Sequence, residues 1–227
     1  MNFANDKQFT EAVKELDNLK QIFFTQGVTK EYSHLWPQGT IMQLLSIPRT
    51  SAQFIYNLIM IKKPKNILEL GTCAGYSTIW IAKAAESYSK NIKDKKQKAK
   101  VYTIEQSKPD CALAAIFFKK AKLANIKQIN SYIEPALNSL PENKMFDFVF
   151  MDADKKNYLK YLKLLEPHLN KNATIVADNV ISHKHLMFDY LNYLEKNSID
   201  TKKQKAKYTN ELIEMDNGMM VSVFNGK

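Results

Sequence analysis

Cysteine is nearly absent from this chain. Cys73 and Cys111 are the only two in 227 residues, and they do not form the closely spaced clusters of a zinc site. A reduced, cytoplasmic compartment is the expected setting. Long apolar runs are missing as well, so no stretch reads as a bilayer span and no membrane partner is expected. The start, Met1-Asn2-Phe3-Ala4-Asn5-Asp6, lacks a basic segment followed by an apolar one and does not read as a secretory signal. Negative charge is in deficit: 23 Asp and Glu face 33 Lys and Arg, a formal net charge of +10. Such a surface attracts polyanions, RNA among them, but net charge speaks to association and not to fold or chemistry. Extended repeats are absent too. The hexamer Lys95–Lys100 recurs identically as Lys202–Lys207, which is too short for a repeat architecture and reads as two solvated lysine-rich connections.

The hydrophobic fraction of 45% is ordinary for a globular protein, and the length suffices for one full core. Residues Phe9 to Phe24 carry apolar side chains at helical spacing. Trp36-Pro37-Gln38-Gly39 breaks the pattern. A second helix is predicted from Thr50 to Ile61, with Thr50 or Ser51 as its cap. From Asn66 onward, strands and helices alternate. Strands are predicted at 66–70, 101–105, 126–130, 146–151 and 173–178, with helices at 76–87, 109–124, 158–169 and 185–197. Alternation of this kind implies βαβ units and an α/β fold with a mainly parallel sheet. The end differs. Asp216-Asn217-Gly218 separates two strand-like runs, 211–215 and 219–224, so a hairpin with an antiparallel last strand is expected.

The stretch Ile67-Leu68-Glu69-Leu70-Gly71-Thr72-Cys73-Ala74-Gly75-Tyr76-Ser77 is a strand, a glycine turn and a helix start. Gly71 permits a sharp turn and close approach of a ligand to the backbone. The free N–H groups of the helix opened by Gly75 and Ser77 favour an anion. The pattern is neither G-x-G-x-x-G nor a phosphate loop. Glu105 ends the second strand, where an acidic residue in a Rossmann-like sheet accepts ribose hydroxyls.

Two further strand ends carry acidic groups: Met151-Asp152-Ala153-Asp154-Lys155 and Ala177-Asp178-Asn179. In a parallel sheet the carboxyl ends of neighbouring strands share one edge, where ligands bind. Asp152, Asp178 and Asn179 would converge there as hard oxygen donors of the kind Mg²⁺ or Ca²⁺ takes. Lys155 adds a candidate proton acceptor. Asp154 is read as orienting Lys155, facing the cofactor, or lying at the rim. His168, His183 and His185 lack zinc spacing and read as loop or cap residues. Tyr158 and Tyr161 read chiefly as packing aromatics.

Together, Glu-x-Gly-x-x-x-Gly-Tyr-Ser at 69–77, Asp-Ala-Asp-Lys-x-Asn-Tyr at 152–158 and Asp-Asn at 178–179 resemble the cation-dependent S-adenosylmethionine O-methyltransferases, the group of caffeoyl-CoA and catechol O-methyltransferases. The resemblance runs from about Ile47 to Phe224. It implies a Rossmann-like seven-stranded sheet, mostly parallel, with helices on both faces and an antiparallel last strand. It also implies a homodimer. The chain is then one methyltransferase domain, 1–227, in which 1–46 is a helical segment shaping the acceptor site and 47–227 is the cofactor-binding core. Carried over by residue, Ile47, Glu69, Gly71, Thr72, Ser77, Glu105, Ala136 and Asp152 fall on the cofactor. Asp152, Asp178 and Asn179 fall on the metal, Mg²⁺ first, with Ca²⁺ or Mn²⁺ as alternatives. Lys155 and Asp152 fall on the catalytic positions. Two departures stand out: Glu134 occupies a position where glycine is frequent, and Asn217 is inserted in a usual Asp-Gly pair.

The implied reaction is metal-assisted, in-line methyl transfer to a vicinal diol such as a catechol, in which alignment of nucleophile, methyl and sulfur lowers much of the barrier. Two alternatives compete. One is a tRNA hydroxyuridine acceptor, which suits the positive charge. The other is a cofactor-binding module without catalysis, against which the intact set of metal ligands argues.

Overall fold

A computed structural model describes residues 6–200 and 205–226. Part of the secretory-signal reading, at Met1–Asn5, and part of the second lysine hexamer, at 202–204, lie outside them.

Seven strands form one sheet in the order β3-β2-β1-β4-β5-β7-β6. They are β1 (Asn66–Leu70), β2 (Lys100–Glu105), β3 (Ile126–Asn130), β4 (Phe146–Met151), β5 (Leu169–Asp178), β6 (Tyr208–Ile213) and β7 (Met219–Phe224). β1 to β5 pair in parallel, and β7 runs antiparallel to both β5 and β6. This is the expected Rossmann-like arrangement. The central strands read as unbroken apolar runs because helices cover both faces. Phe148, Phe150 and Val176 pack on one face against α1 (Lys7–Thr25), α2 (Arg49–Lys62), α3 (Tyr76–Ser89) and α4 (Lys108–Lys120). Val149, Met151, Ile175 and Ala177 pack on the other against α5 (Ile133–Asn138), α6 (Tyr158–Leu165) and α7 (Phe188–Lys196).

Local chemistry sets the element ends. Asp6 caps α1 by accepting from the Phe9 N–H at 3.1 Å, and Ser107 caps α4. α4 stops at Lys120, short of the expected 124. Lys122 turns left-handed at φ 53, and the Leu123 N–H reaches back to the Phe118 carbonyl at 3.0 Å, a Schellman closure. α6 stops at Leu165 because Pro167 lacks an N–H and disfavours helix before it. A 3₁₀ turn at Glu166–His168 follows, and β5 begins at Leu169, earlier than predicted. The strand needs that length to absorb a bulge: the partner of Phe146 is Leu169, and that of Phe148 is Thr174. The helix expected from His185 opens as a 3₁₀ turn at Lys184–Leu186 and becomes α-helical at Phe188. α5, six residues around Pro135, carries too little periodicity to have been predicted. The cap proposed for α2 is also corrected. Its first turn has no local side-chain cap, and Thr50 and Ser51 instead donate their hydroxyls to distant Asp216.

The sheet reverses its winding between β1 and β4. A crevice forms at such a point, outside the carboxyl ends of the strands.

Candidate active site

A cleft of about 900 Å³ occupies that crevice, a volume suited to a nucleoside-sized ligand. Ile47, Gly71, Thr72, Ser77, Glu105, Asp152 and Lys155 line it. Glu69 and Ala136 are buried and, like Asp178 and Asn179, lie outside its lining.

Two turns touch at the cleft floor. Gly71 follows β1 with φ +97, and a Cβ there would stand 2.1 Å from the carbonyl oxygen of Asp152. Only glycine allows the β1 and β4 ends to meet so closely. The Asp152 N–H donates to the Leu70 carbonyl at 2.9 Å, which extends the ladder into the site. Gly75, left-handed at φ 84, then opens α3 without a side-chain cap, which leaves its first N–H groups toward the cleft.

Glu69 serves this turn from beneath. It is fully buried, and its carboxylate accepts hydroxyl bonds from Ser77 (2.6 Å), Thr103 (2.6 Å) and Thr78. Burial pushes its pKa up to about 7, while the three hydroxyls resist and Asp152 adds to the rise. Glu69 thus braces β1, β2 and the start of α3 against one another. Glu105, at the end of β2, faces the cleft. Its carboxylate is gripped by the Cys73 N–H and the Ser107 N–H, both at 2.9 Å. Two fixed donors set the carboxylate plane, so a ribose diol would meet it without reorganisation.

Across the cleft floor is an acidic corner. Met151 pairs with Ala177, so the next residues, Asp152 and Asp178, leave adjacent strands side by side. Asp178 is 2% exposed. Burial, with the negative charge of Asp152 next in size, pushes its pKa up to about 7; the Asn179 N–H and Lys155 pull the other way, and Asp216 adds to the rise. Lys155 Nζ donates to Asp152 Oδ1 at 2.6 Å. Asn179 turns left-handed at φ 66 and bends the chain away from the sheet, a conformation asparagine tolerates. Among the described residues no three His, Cys, Asp or Glu side chains form a metal-competent group. The set here is two carboxylates and an amide. Two crowded carboxylates, one of them resisting ionisation, fit a hard divalent cation that would relieve their repulsion.

Neighbouring residues hold the corner in shape. The buried Tyr158 hydroxyl donates to the Met151 carbonyl at 2.9 Å and accepts from the Ala153 N–H at 3.3 Å, which pins the turn carrying Asp152. Tyr161 lines the cleft. Asp154 lies at the rim, where it accepts from the Lys156 N–H and from Asn157 Nδ2 (2.6 Å) as a cap, with no bond to Lys155 among those described. Glu134 pairs with Lys160 at 2.6 Å on the rim. His183 bonds Ser182, and His168 bonds the Lys144 carbonyl, in keeping with loop roles. Sequence reasoning missed Thr103 and Thr78, whose small polar side chains in apolar elements were a legible signal. It also missed Leu45 and Tyr132 of the cleft wall, which are exposed apolar residues with no pattern to mark them.

Comparison with known proteins identifies a family and a fold. A family model described as O-methyltransferase matches residues 26–225. A protein of Niastella koreensis named catechol O-methyltransferase is 31% identical over 177 residues, covering 76% of this chain and 72% of that one. A Populus kitakamiensis protein named caffeoyl-CoA O-methyltransferase is 28% identical, covering 74% of this chain and 65% of that one. Among solved structures, an O-methyltransferase from Bacillus cereus in complex with SAH superposes with a TM-score of 0.69 at 18% identity, covering 97% of each chain.

Proposed function

The chain belongs to the O-methyltransferase family, and from that premise we propose that it moves the methyl group of S-adenosylmethionine to an oxygen of a small vicinal-diol acceptor, with a divalent cation held by Asp152, Asp178 and Asn179. The observation that carries the reading is the pairing of two half-sites across one crevice: the rigidly held Glu105 beside a glycine turn, and the carboxylates Asp152 and Asp178 one register step past the Met151–Ala177 pair that ends the β4–β5 ladder.

In this reading Glu105 accepts the two ribose hydroxyls, and the open start of α3 receives the methionine carboxylate. Gly71 and Thr72 let the cofactor lie against the backbone, Ile47 covers it, and Ala136 backs the adenine wall. Glu69 keeps the turn in register without touching the ligand. A bound divalent cation supplies Lewis-acid stabilisation of negative charge on an acceptor oxygen. In its neutral amine form Lys155 would receive the acceptor's hydroxyl proton on the Nζ lone pair, while an N–H of the same nitrogen donates to Asp152 Oδ1 and so orients it. Leu45 and Ser46 of the 1–46 segment bound the cleft beside Ile47, which supports the reading that this segment helps shape the acceptor side. The tRNA acceptor gains no support from the relatives above.

Labelled-methyl transfer to catechol, with and without chelator, tests the proposal. Cation-dependent transfer is expected. Transfer that survives exhaustive demetallation, or none to any vicinal diol, overturns it.

A further inference from the structure

The turn between β6 and β7 joins two walls that are far apart in the chain. On one side Asp216, exposed and left-handed at φ 52, accepts hydroxyl bonds from Thr50 Oγ1 and Ser51 Oγ at its Oδ2, each 2.6 Å. These residues open α2, whose own N-cap position is Pro48 and offers no side-chain bond. The same carboxylate accepts from the Ser51 backbone N–H, so Asp216 caps the helix from 165 residues away, and the favourable helix N-terminus adds to the attraction. Immediately before this helix start, Leu45, Ser46 and Ile47 form one wall of the cleft.

On its other side the same turn fastens the stretch that follows Asn179. The Val180 N–H donates to the Gly218 carbonyl, and the Ile181 and Ser182 N–H groups share the Asn217 carbonyl, all at 3.1 Å. Gly218 presses on Ile181 so closely that a Cβ would lie 2.3 Å from Ile181 Cγ1. Asn217, the residue inserted between Asp216 and Gly218, thus supplies the acceptor for two of the three bonds.

We propose that residues 216–218 form a clamp and that Asp216 is a positioning residue, holding the 45–47 wall in register with the Asp178–Asn179 corner so that the cleft is complete only while the turn grips α2. The inference rests on the proposed function for what the cleft binds. Its physical basis is an asymmetry. The side toward 180–182 is backbone, with Gly218 buried. The side toward α2 is a solvent-facing carboxylate that water can compete for, so it is the face that opens. Loss of that face frees the wall without dismantling the sheet.

The test uses the full chain and the variants Asp216→Ala and Asp216→Asn, with Thr50→Val/Ser51→Ala as an independent route to the same lesion. Amide hydrogen exchange is followed at residues 44–52, alongside methyl-transfer kinetics with catechol. Removing charge-assisted bonds shifts a local opening equilibrium by roughly tenfold. Exchange at 44–52 is therefore expected to accelerate by about that factor in Asp216→Ala, with a smaller rise in Asp216→Asn. The acceptor KM is expected to rise several-fold while kcat changes less. Unaltered exchange at 44–52 overturns the clamp, as does faster exchange with an unchanged KM. Should Asp216→Ala fail to fold, the hydroxyl pair carries the same measurement. A wild-type chain that transfers no methyl group refutes the proposed function instead, and exchange at 44–52 still decides whether the clamp exists.

Discussion

Replacing Gly71 with alanine probes the contact on which the whole crevice is built. The added Cβ would sit 2.1 Å from the Asp152 carbonyl oxygen and 2.9 Å from its carbon, both backbone atoms, at φ +97. Neither neighbour can swing aside. The two turns are tied by the Asp152 N–H to the Leu70 carbonyl at 2.9 Å and by the Gly71 N–H to the Ile104 carbonyl at 3.0 Å. Left-handed backbone costs a non-glycine residue about 1–2 kcal/mol, overpacking about 1–3 kcal/mol, and a weakened buried hydrogen bond about 1 kcal/mol. The sum, roughly 3–6 kcal/mol, is a large part of the 5–15 kcal/mol that typically holds a domain together. Gly39 offers an internal control: φ +81, with nothing within 4 Å of the place an added methyl group would take. Gly39→Ala should cost only the conformational part, about 1–2 kcal/mol. Urea denaturation of the two variants, with slopes checked for equality, measures the difference. A Gly71→Ala protein within about 1 kcal/mol of Gly39→Ala, the low end of overpacking costs, would refute the claim that the strand ends meet in backbone contact.

Three other outcomes are expected. Asp178→Ala should abolish cation-stimulated methyl transfer while S-adenosylmethionine binding, measured by calorimetry, stays within a few-fold of wild type; lost cofactor binding with intact cation dependence would reverse the assigned roles. Glu105→Ala should weaken S-adenosylmethionine binding by about tenfold or more, the scale of charged hydrogen bonds lost, and leave thermal stability far less affected than Gly71→Ala does; unchanged affinity would remove Glu105 from the ribose site. Glu166 accepts from Tyr193 (2.7 Å), Tyr208 (2.6 Å) and Lys207 (2.7 Å). Burial works to raise its pKa, but Lys207 and the two tyrosines outweigh it and hold the carboxyl below its ordinary value. A depressed carboxylate stabilises the fold above its unfolded pKa, about 4.3, and loses that contribution as pH falls through the folded value. Glu166→Ala should therefore destabilise by about 1–2 kcal/mol at pH 7, the scale of partly exposed charged hydrogen bonds, with the gap to wild type narrowing as pH falls below about 4.3; a gap that persists in acid would mean the loss is packing, not charge.

The ends of β4 and β5 could be read without coordinates because central strands are buried on both faces. They must be apolar throughout, so the change to Asp152 and to Asp178-Asn179 marks where each strand leaves the sheet. The glycine turn after β1 and the acidic end of β2 were legible for the same reason: local steric and solvation rules decide them. Helix lengths were less so, since Lys122 and Pro167 stop their helices by backbone geometry that apolar spacing does not report. Glu69 and Glu105 look alike in sequence, each acidic and on a strand. Only packing sends one inward to three hydroxyls and leaves the other, gripped by two N–H groups, on the cleft. Thr50 and Ser51 are the clearest case. Their residue types announced a helix cap, and a carboxylate 166 and 165 positions later took their hydroxyls instead. Propensity and periodicity act over a few residues, so the sequence by itself determined the sheet, its order of elements and the residues at its edge. Which of those side chains share a bond depends on long-range packing, and that only the tertiary structure decided.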